Sequence, residues 1–465
     1  MVRDKAFYRA ILTIAFPSAL QGLISLLVVL ADNMMVASLG DTVYAGVAQS
    51  GVVTGFFNAA VTGLVGGSSV LIAQYWGKRD TDRIKRIFAI VAWVCLGVSA
   101  LFILLISLMP AGFLRLLVSD EAIIAAGTKY FSVVCWSYLP YALAAGLIGM
   151  LRGVEIVRVM LYATLLSLVS NIALNYIFIF GKLGFPAMGA VGAALATVLA
   201  RALEMVLVLV YLFRVQKRLD IRPRDFLRGD WGLARDYARY GLPVAAVDAQ
   251  WAIVGVCKAA IIGRLGERMI AANNIAESLM QLGMIFTSSL AGGACVIIGK
   301  TVGEGDYGRV RAYSKTIQWM FFMIGVVMAG VVFCVRVPFA GLYGGVSPEA
   351  RGLAGRMIGL AAISMVGTTY HASCFAGINR GAGDSRFVMM VDMICGWLIV
   401  LPAACLSAFV WKMPLAWMFL MLRVDQLFKW IIAFVRLRGN AWIHNVTRGE
   451  KRKGTPEGSA PWTSA

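Results

Sequence analysis

The chain has 465 residues, of which 60% are hydrophobic and only 14% charged, with a formal net charge of +19 at pH 7. Soluble domains carry about 25% charged residues, so the composition excludes an ordinary soluble enzyme. The basic residues sit between long apolar runs rather than in one patch, which argues against nucleic acid as the partner.

Twelve apolar runs fall near residues 11–37, 46–73, 87–109, 128–151, 159–180, 190–213, 240–263, 270–298, 316–337, 354–378, 388–411 and 415–435. Each is long enough to cross a bilayer, which takes about 20 residues. The predicted fold is an all-α polytopic membrane protein with 12 transmembrane helices. The charged start, Met1 to Arg9, leads into the first span without a small-residue cleavage site, so no signal peptide is expected. With the N-terminus in the cytoplasm, the inner segments hold 30 of the 43 Lys and Arg and the outer loops hold 9. That asymmetry is the positive-inside rule, and it puts both termini in the cytoplasm.

In chain order, the first span carries Pro17 and then Asp32, about two thirds of the way along. Pro17 removes one backbone hydrogen bond and permits a bend, either a gate or a packing kink. A lone carboxylate in a span costs about 2.5–3.5 kcal/mol, so it has a partner or a task. The second span ends at Gly77, where a left-handed cap is expected. Arg152 is expected to anchor the inner face. In the fifth span Asn171 and Asn175 lie four apart on one helix face, able to hold the Asp32 carboxylate, a water or a sodium ion. Arg201 and Glu204 are predicted to form a structural ion pair.

Residues 1–213 form a predicted N-lobe, and 214–239 a basic cytoplasmic linker whose amphipathic stretch, Phe226 to Tyr240, suits a helix on the inner membrane surface. The predicted C-lobe, 240–436, opens with a span holding Pro243, Asp248, Trp251 and Lys258. An acid with an aromatic neighbour holds a cation by charge and by ring face. Lys258 is expected to face the cleft, neutralised by Glu277 of the eighth span or influenced by Asp32. Gly303 mirrors Gly77, and Arg380 mirrors Arg152. His371 reads as a weaker cleft residue, more simply a buried neutral imidazole bonded to a carbonyl. Asp392 reads as solvated near the inner interface, and Asp425 with Lys429 as an i, i+4 ion pair. The cytoplasmic tail, 437–465, is expected to be partly disordered, from Arg448 onward. Eight cysteines inside the spans show neither metal-ligand spacing nor a disulfide framework.

The halves repeat. Residues 10–85 lie over 236–311 with a shift of 226 and no gap: Pro17 falls on Pro243, Leu39-Gly40 on Leu265-Gly266, and Asp80 on Asp306. A second block repeats at a shift of 228, Arg152-Gly153 on Arg380-Gly381. Six spans per half make the repeats parallel, so two six-helix lobes are related by a pseudo-twofold axis along the membrane normal, a transporter organisation. The charges diverge where the punctuation agrees: Asp32 meets Lys258, and Asp248 meets Gly22.

Ala31-Asp32-Asn33-Met34-Met35-Val36 with Leu39-Gly40, Ala73-Gln74-Tyr75-Trp76-Gly77, Ser170-Asn171-Ile172-Ala173-Leu174-Asn175 and Arg380-Gly381-Ala382-Gly383-Asp384-Ser385 together resemble bacterial MATE (multidrug and toxic compound extrusion) transporters of the MOP flippase superfamily. The resemblance implies an inner-membrane antiporter that exports amphipathic organic cations or drugs against protons or sodium, with Asp32 as the coupling carboxylate. Many proton-coupled members carry an aspartate where Asn175 stands, so a two-carboxylate relay does not carry over, and neither does an acidic sodium ligand near Thr369. The alternative from the same superfamily is a flippase for lipid-linked sugar or peptidoglycan precursors. No cofactor, no metal beyond a possible sodium at Asp32, no nucleic acid and no obligate oligomer is expected. The sequence lacks G-x-S-x-G, a metal-binding histidine pair and the P-loop motif, so an enzyme is not expected.

Overall fold

Apolar runs that cannot hydrogen-bond to lipid must satisfy their backbone internally, and here they do so as helices. The computed structural model describes residues 2, 4–227, 229–344 and 346–448, and among them there is no β-strand. Eleven spans run as long helices: α1 (Lys5–Ala37), α2 (Asp41–Gly77), α3 (Thr81–Leu108), α4 (Glu121–Gly153), α5 (Arg158–Phe180), α6 (Ala190–Val215), α7 (Trp231–Gly263), α8 (Glu267–Glu304), α9 (Tyr307–Gly341), α10 (Pro348–Asn379) and α11 (Ser385–Val410). The twelfth, α12, is broken into Leu415–Met421 and Lys429–Arg438. Helices α1–α6 and α7–α12 form the two lobes. Their outer surfaces expose large apolar side chains such as Leu105, Leu108, Val327 and Leu398, as a lipid-facing surface does.

The duplicated punctuation folds identically. Asp80 and Asp306 cap α3 and α9, accepting from the backbone N–H of Arg83 at 3.0 Å and of Arg309 at 2.9 Å. Gly40 and Gly266 turn the chain into α2 and α8 with φ of 104° and 93°, a region that glycine enters without steric cost. The left-handed residues after α2 and α8 are Arg79 and Gly305, so the expected caps at Gly77 and Gly303 sit two residues too early. Both glycines instead lie where α2 crosses α8. A Cβ on Gly77 would stand 2.0 Å from the Lys300 carbonyl oxygen, and one on Gly303 1.9 Å from that of Gln74.

That crossing closes one end of the seam between the lobes, the end that also carries Lys5 and Arg448, called here the terminal face. Along the seam α1 packs on α8, and α2 on both α7 and α8. The first turns of α1 belong to the C-lobe core: Phe7 and Ile11 are buried among Ile298, Val310 and Phe321, and the Phe7 ring lies 4.4 Å from that of Tyr313.

Two connecting segments differ from expectation. The amphipathic stretch at 226–240 is not a separate surface helix. Pro223–Leu227 makes a 3-10 turn held by Trp93 Nε1 donating to the Phe226 carbonyl at 2.8 Å, and α7 has begun by Trp231. The tail packs before it leaves the described residues. Trp442 is 1% exposed, the Val446 N–H donates to Gln74 Oε1 at 2.8 Å, and Arg448 pairs with Asp236 at 2.6 Å. The disorder expected from Arg448 onward otherwise falls outside the described residues. The eight cysteines are free thiols: five are buried, Cys257 is half-buried, and Cys334 and Cys405 are exposed.

Candidate functional site

In the N-lobe, α1 packs on α5 and brings Asp32 to the face carrying Asn171 and Asn175. The Asn175 carboxamide donates to Asp32 Oδ1, and more weakly to Asn171 Oδ1 at 3.4 Å. Asn175 is fully buried and its Oδ1 has no hydrogen-bond partner. The three residues predicted to act together are therefore in one place. Arg201 lies within electrostatic reach of Asp32 but pairs with Glu204 at 2.7 Å, as predicted.

In the C-lobe, Asp248, Trp251, Lys258, Glu277 and His371 line one cavity of about 630 Å³. Lys258 thus faces the interior and not lipid; it makes no direct ion pair with Glu277, which lies within electrostatic reach of it, as Asp425 does. Its ammonium stands 5.5 Å from the Trp251 ring centroid, a cation–π arrangement. Glu277 pairs with Arg423 at 2.6 Å. His371 Nδ1 is 2.9 Å from the Gly367 carbonyl oxygen, the buried imidazole geometry that its position suggested.

One wall of this cavity is built around a residue expected only in a simple ion pair. Lys429, 2% exposed, lies 2.7 Å from Asp392, 2.9 Å from Asp425 and 4.6 Å from the Trp251 ring centroid. Asp392 is buried, not solvated at the inner interface as expected. The break in α12 makes this possible: residues 422–428 leave the helix where they line the cavity, and the freed backbone and side chains meet polar partners there. Gln426 Oε1, for example, accepts from Thr368 Oγ1 at 2.8 Å.

A second cavity, of about 530 Å³, lies between the lobes and straddles the pseudo-twofold axis. Repeat-equivalent residues meet across it: Thr62 and Ser288, Gly66 and Gly292, Ser69 and Cys295, Arg152 and Arg380. The two arginines, expected to be anchors at the inner face, also line this cavity. Asp248 lines both cavities and pairs with Arg380 at 3.6 Å. Pro17 and Pro243 flank the seam within unbroken helices. Glycines let the facing helices approach them closely: a Cβ on Gly67 would be 2.3 Å from Gly241 Cα, and one on Gly293 3.1 Å from the Ile11 carbonyl oxygen.

Two parallel six-helix lobes, a central cavity on their axis and buried charge in each lobe define a polytopic membrane transporter. The MatE family model matches residues 17–177 and 246–406, once in each lobe. The chain belongs to this MATE family of transporters and is not an enzyme. Among curated relatives, it is 26% identical over 421 residues to "Probable multidrug resistance protein NorM" of Agrobacterium fabrum, covering 86% of this chain and 87% of that protein. It is 25% identical over 411 residues to "Multidrug resistance protein MdtK" of Edwardsiella ictaluri, with 86% and 87% covered. Its fold is shared by "Crystal structure of MATE in the bent conformation", with a TM-score of 0.84, 21% identity and 93% and 95% of the chains covered. It is also shared by "Reverse polarity of binding pocket suggests different function of a MOP superfamily transporter from Pyrococcus furiosus", with a TM-score of 0.83, 20% identity and 92% and 94% covered.

Proposed function

We propose that this chain is a secondary active antiporter of a bacterial plasma membrane, exporting amphipathic organic cations or drugs in exchange for protons or sodium by alternating access, and working as a monomer. The observation that carries this reading is the tight α2–α8 crossing at Gly77 and Gly303 beneath an inter-lobe cavity. A cavity closed on one side and bounded by two similar lobes suits a machine that rocks between two arrangements. The basic segments lie on the terminal face, so the positive-inside rule makes that face cytoplasmic. The described arrangement is then sealed toward the cytoplasm. The relatives named for multidrug resistance favour drug-like cargo.

Asp32 is the coupling group in this reading. Protonation, or sodium bound with Asn171 and Asn175, neutralises its charge and favours one arrangement, and cargo in the cleft favours the other. The driving force is adequate: one charge crossing about 150 mV yields roughly 3.5 kcal/mol, enough for a gradient of about 300-fold. Proteoliposomes given separate pH and sodium gradients, with a fluorescent organic cation as cargo, test it. Asp32→Asn is expected to abolish gradient-driven export while the protein remains monodisperse and keeps its Tm. Normal export by that variant would remove Asp32 from the mechanism, and export without either gradient would overturn antiport.

A further inference from the structure

The repeat is broken at one point where the consequence is electrostatic. Arg152 and Arg380 are equivalent residues, and both line the inter-lobe cavity. Arg380 has a carboxylate, Asp248, at 3.6 Å. The position equivalent to Asp248 in the N-lobe is Gly22, which lines the same cavity and carries no side chain. Arg152 consequently makes no ion pair with any of the described residues. The Cys295 thiol lies within electrostatic reach of both guanidiniums, and its own equivalent is Ser69, a neutral hydroxyl. Two arginines and one aspartate are the charged groups of the wall, so the cavity has an excess positive charge on its Arg152 side.

We propose that Arg152 binds a carboxylate on the transported molecule, so that among organic cations the preferred cargo is a zwitterion, one that also bears a carboxylate. This deepens the transport reading above and rests on the inter-lobe cavity being the cargo path. A half-buried guanidinium is costly without a counter-charge. Its planar fork matches the two oxygens of a carboxylate. The cavity volume of about 530 Å³ lies in the range that encloses drug-sized molecules. The asymmetry also fixes the side: the C-lobe arginine is occupied internally by Asp248, and the N-lobe arginine is left to the cargo.

The test is equilibrium binding to the full chain in phosphatidylcholine nanodiscs, by fluorescence anisotropy, using a rhodamine that bears a free carboxylate and the methyl ester of the same dye. The wild type is expected to bind the acid about tenfold more tightly than the ester. Arg152→Gln is expected to remove that preference by weakening the acid alone, and Arg152→Lys to keep part of it. Gly22→Asp supplies the missing carboxylate. A Cβ there would meet Ile285 Cγ2 at 2.7 Å, so it is made together with Ile285→Ala. That pair is expected to weaken the acid as Arg152→Gln does, while Ile285→Ala alone retains the preference. Equal affinities for acid and ester in the wild type, or an equal loss of both in Arg152→Gln, would overturn the proposal. So would a preference that vanishes in phosphatidylglycerol nanodiscs, since a lipid head group would then own the site. Binding is read without any ion gradient, so failure of antiport and failure of this site are separate results.

Discussion

Gly77 and Gly303 lock the two lobes together at the terminal face, each pressed against the backbone of the other's helix. A Cβ at either position would fall 2.0 Å or 1.9 Å from a carbonyl oxygen, far inside contact distance. Neither neighbour is a flexible side-chain end, so the helices themselves must move. Gly303→Ala is expected to cost about 1–3 kcal/mol, as overpacking does, and to lower the Tm of the purified protein. Gly97→Ala, where a Cβ meets nothing within 4 Å, is the matched control. If the two variants melt alike, the crossing is not a close contact in solution.

The donation from Asn175 to Asp32 carries a second prediction. A hydrogen bond to a charged group contributes about 1.5–3 kcal/mol, here aimed at a carboxylate inside the membrane. Asn175→Leu keeps the branched outline of the side chain and removes the donor. The initial rate of gradient-driven export is expected to fall about tenfold or more, and the Tm to drop by the few degrees that the lost hydrogen bond accounts for. An unchanged rate would show that the amide only packs.

Much of this is legible in the amino-acid sequence. Asp32, Asn171 and Asn175 stand out because polar groups are rare in apolar spans and a spacing of four puts two of them on one face. The repeat gave the lobes, and its mismatches gave Lys258 and Asp248. What escaped the sequence was set by tertiary structure. Residues 415–435 read as one helix because no proline interrupts them and their apolar residues continue. The break comes from Arg423, Asp425 and Gln426 finding Glu277, Lys429 and Thr368 around the cavity. Asp392 looked solvated because its partner, Lys429, is 37 residues away in sequence. The two glycines of the crossing looked like caps because a glycine at a helix end does one job as readily as the other.

The Lys429 cluster gives a third prediction. Lys429 stands between two buried carboxylates, at 2.7 Å and 2.9 Å. Removing it leaves two negative charges facing each other in a low dielectric, and such breakage costs about 3–5 kcal/mol. Lys429→Met is therefore expected to lower the Tm sharply or block folding in detergent. Adding Asp392→Asn and Asp425→Asn neutralises the charges left behind, and the triple variant is expected to recover most of the loss. Failure of that rescue would mean that Lys429 contributes through its position over Trp251 rather than through the ion pairs.

Asp384, in the loop between α10 and α11, sets a pH dependence. Burial pushes its carboxyl upward, but His444, the bidentate Arg436 contacts at 2.9 Å and 3.0 Å, and Asn379 at 3.2 Å outweigh it and hold the group below the usual carboxylate range. A carboxyl with a lower pKa folded than unfolded stabilises the fold above its unfolded value of about 3.9. The contribution is complete above about pH 5 and is lost as the pH falls through the lower, folded value. Those contacts tie the tail and α12 to the α10–α11 loop, so acid is expected to loosen this strap. Thermal unfolding between about pH 3 and pH 7 tests it. The wild type is expected to lose Tm on acidification more steeply than Asp384→Asn, which starts lower at neutral pH and has no charge to lose at this position. Parallel curves for the two proteins would place the acid sensitivity elsewhere in the molecule.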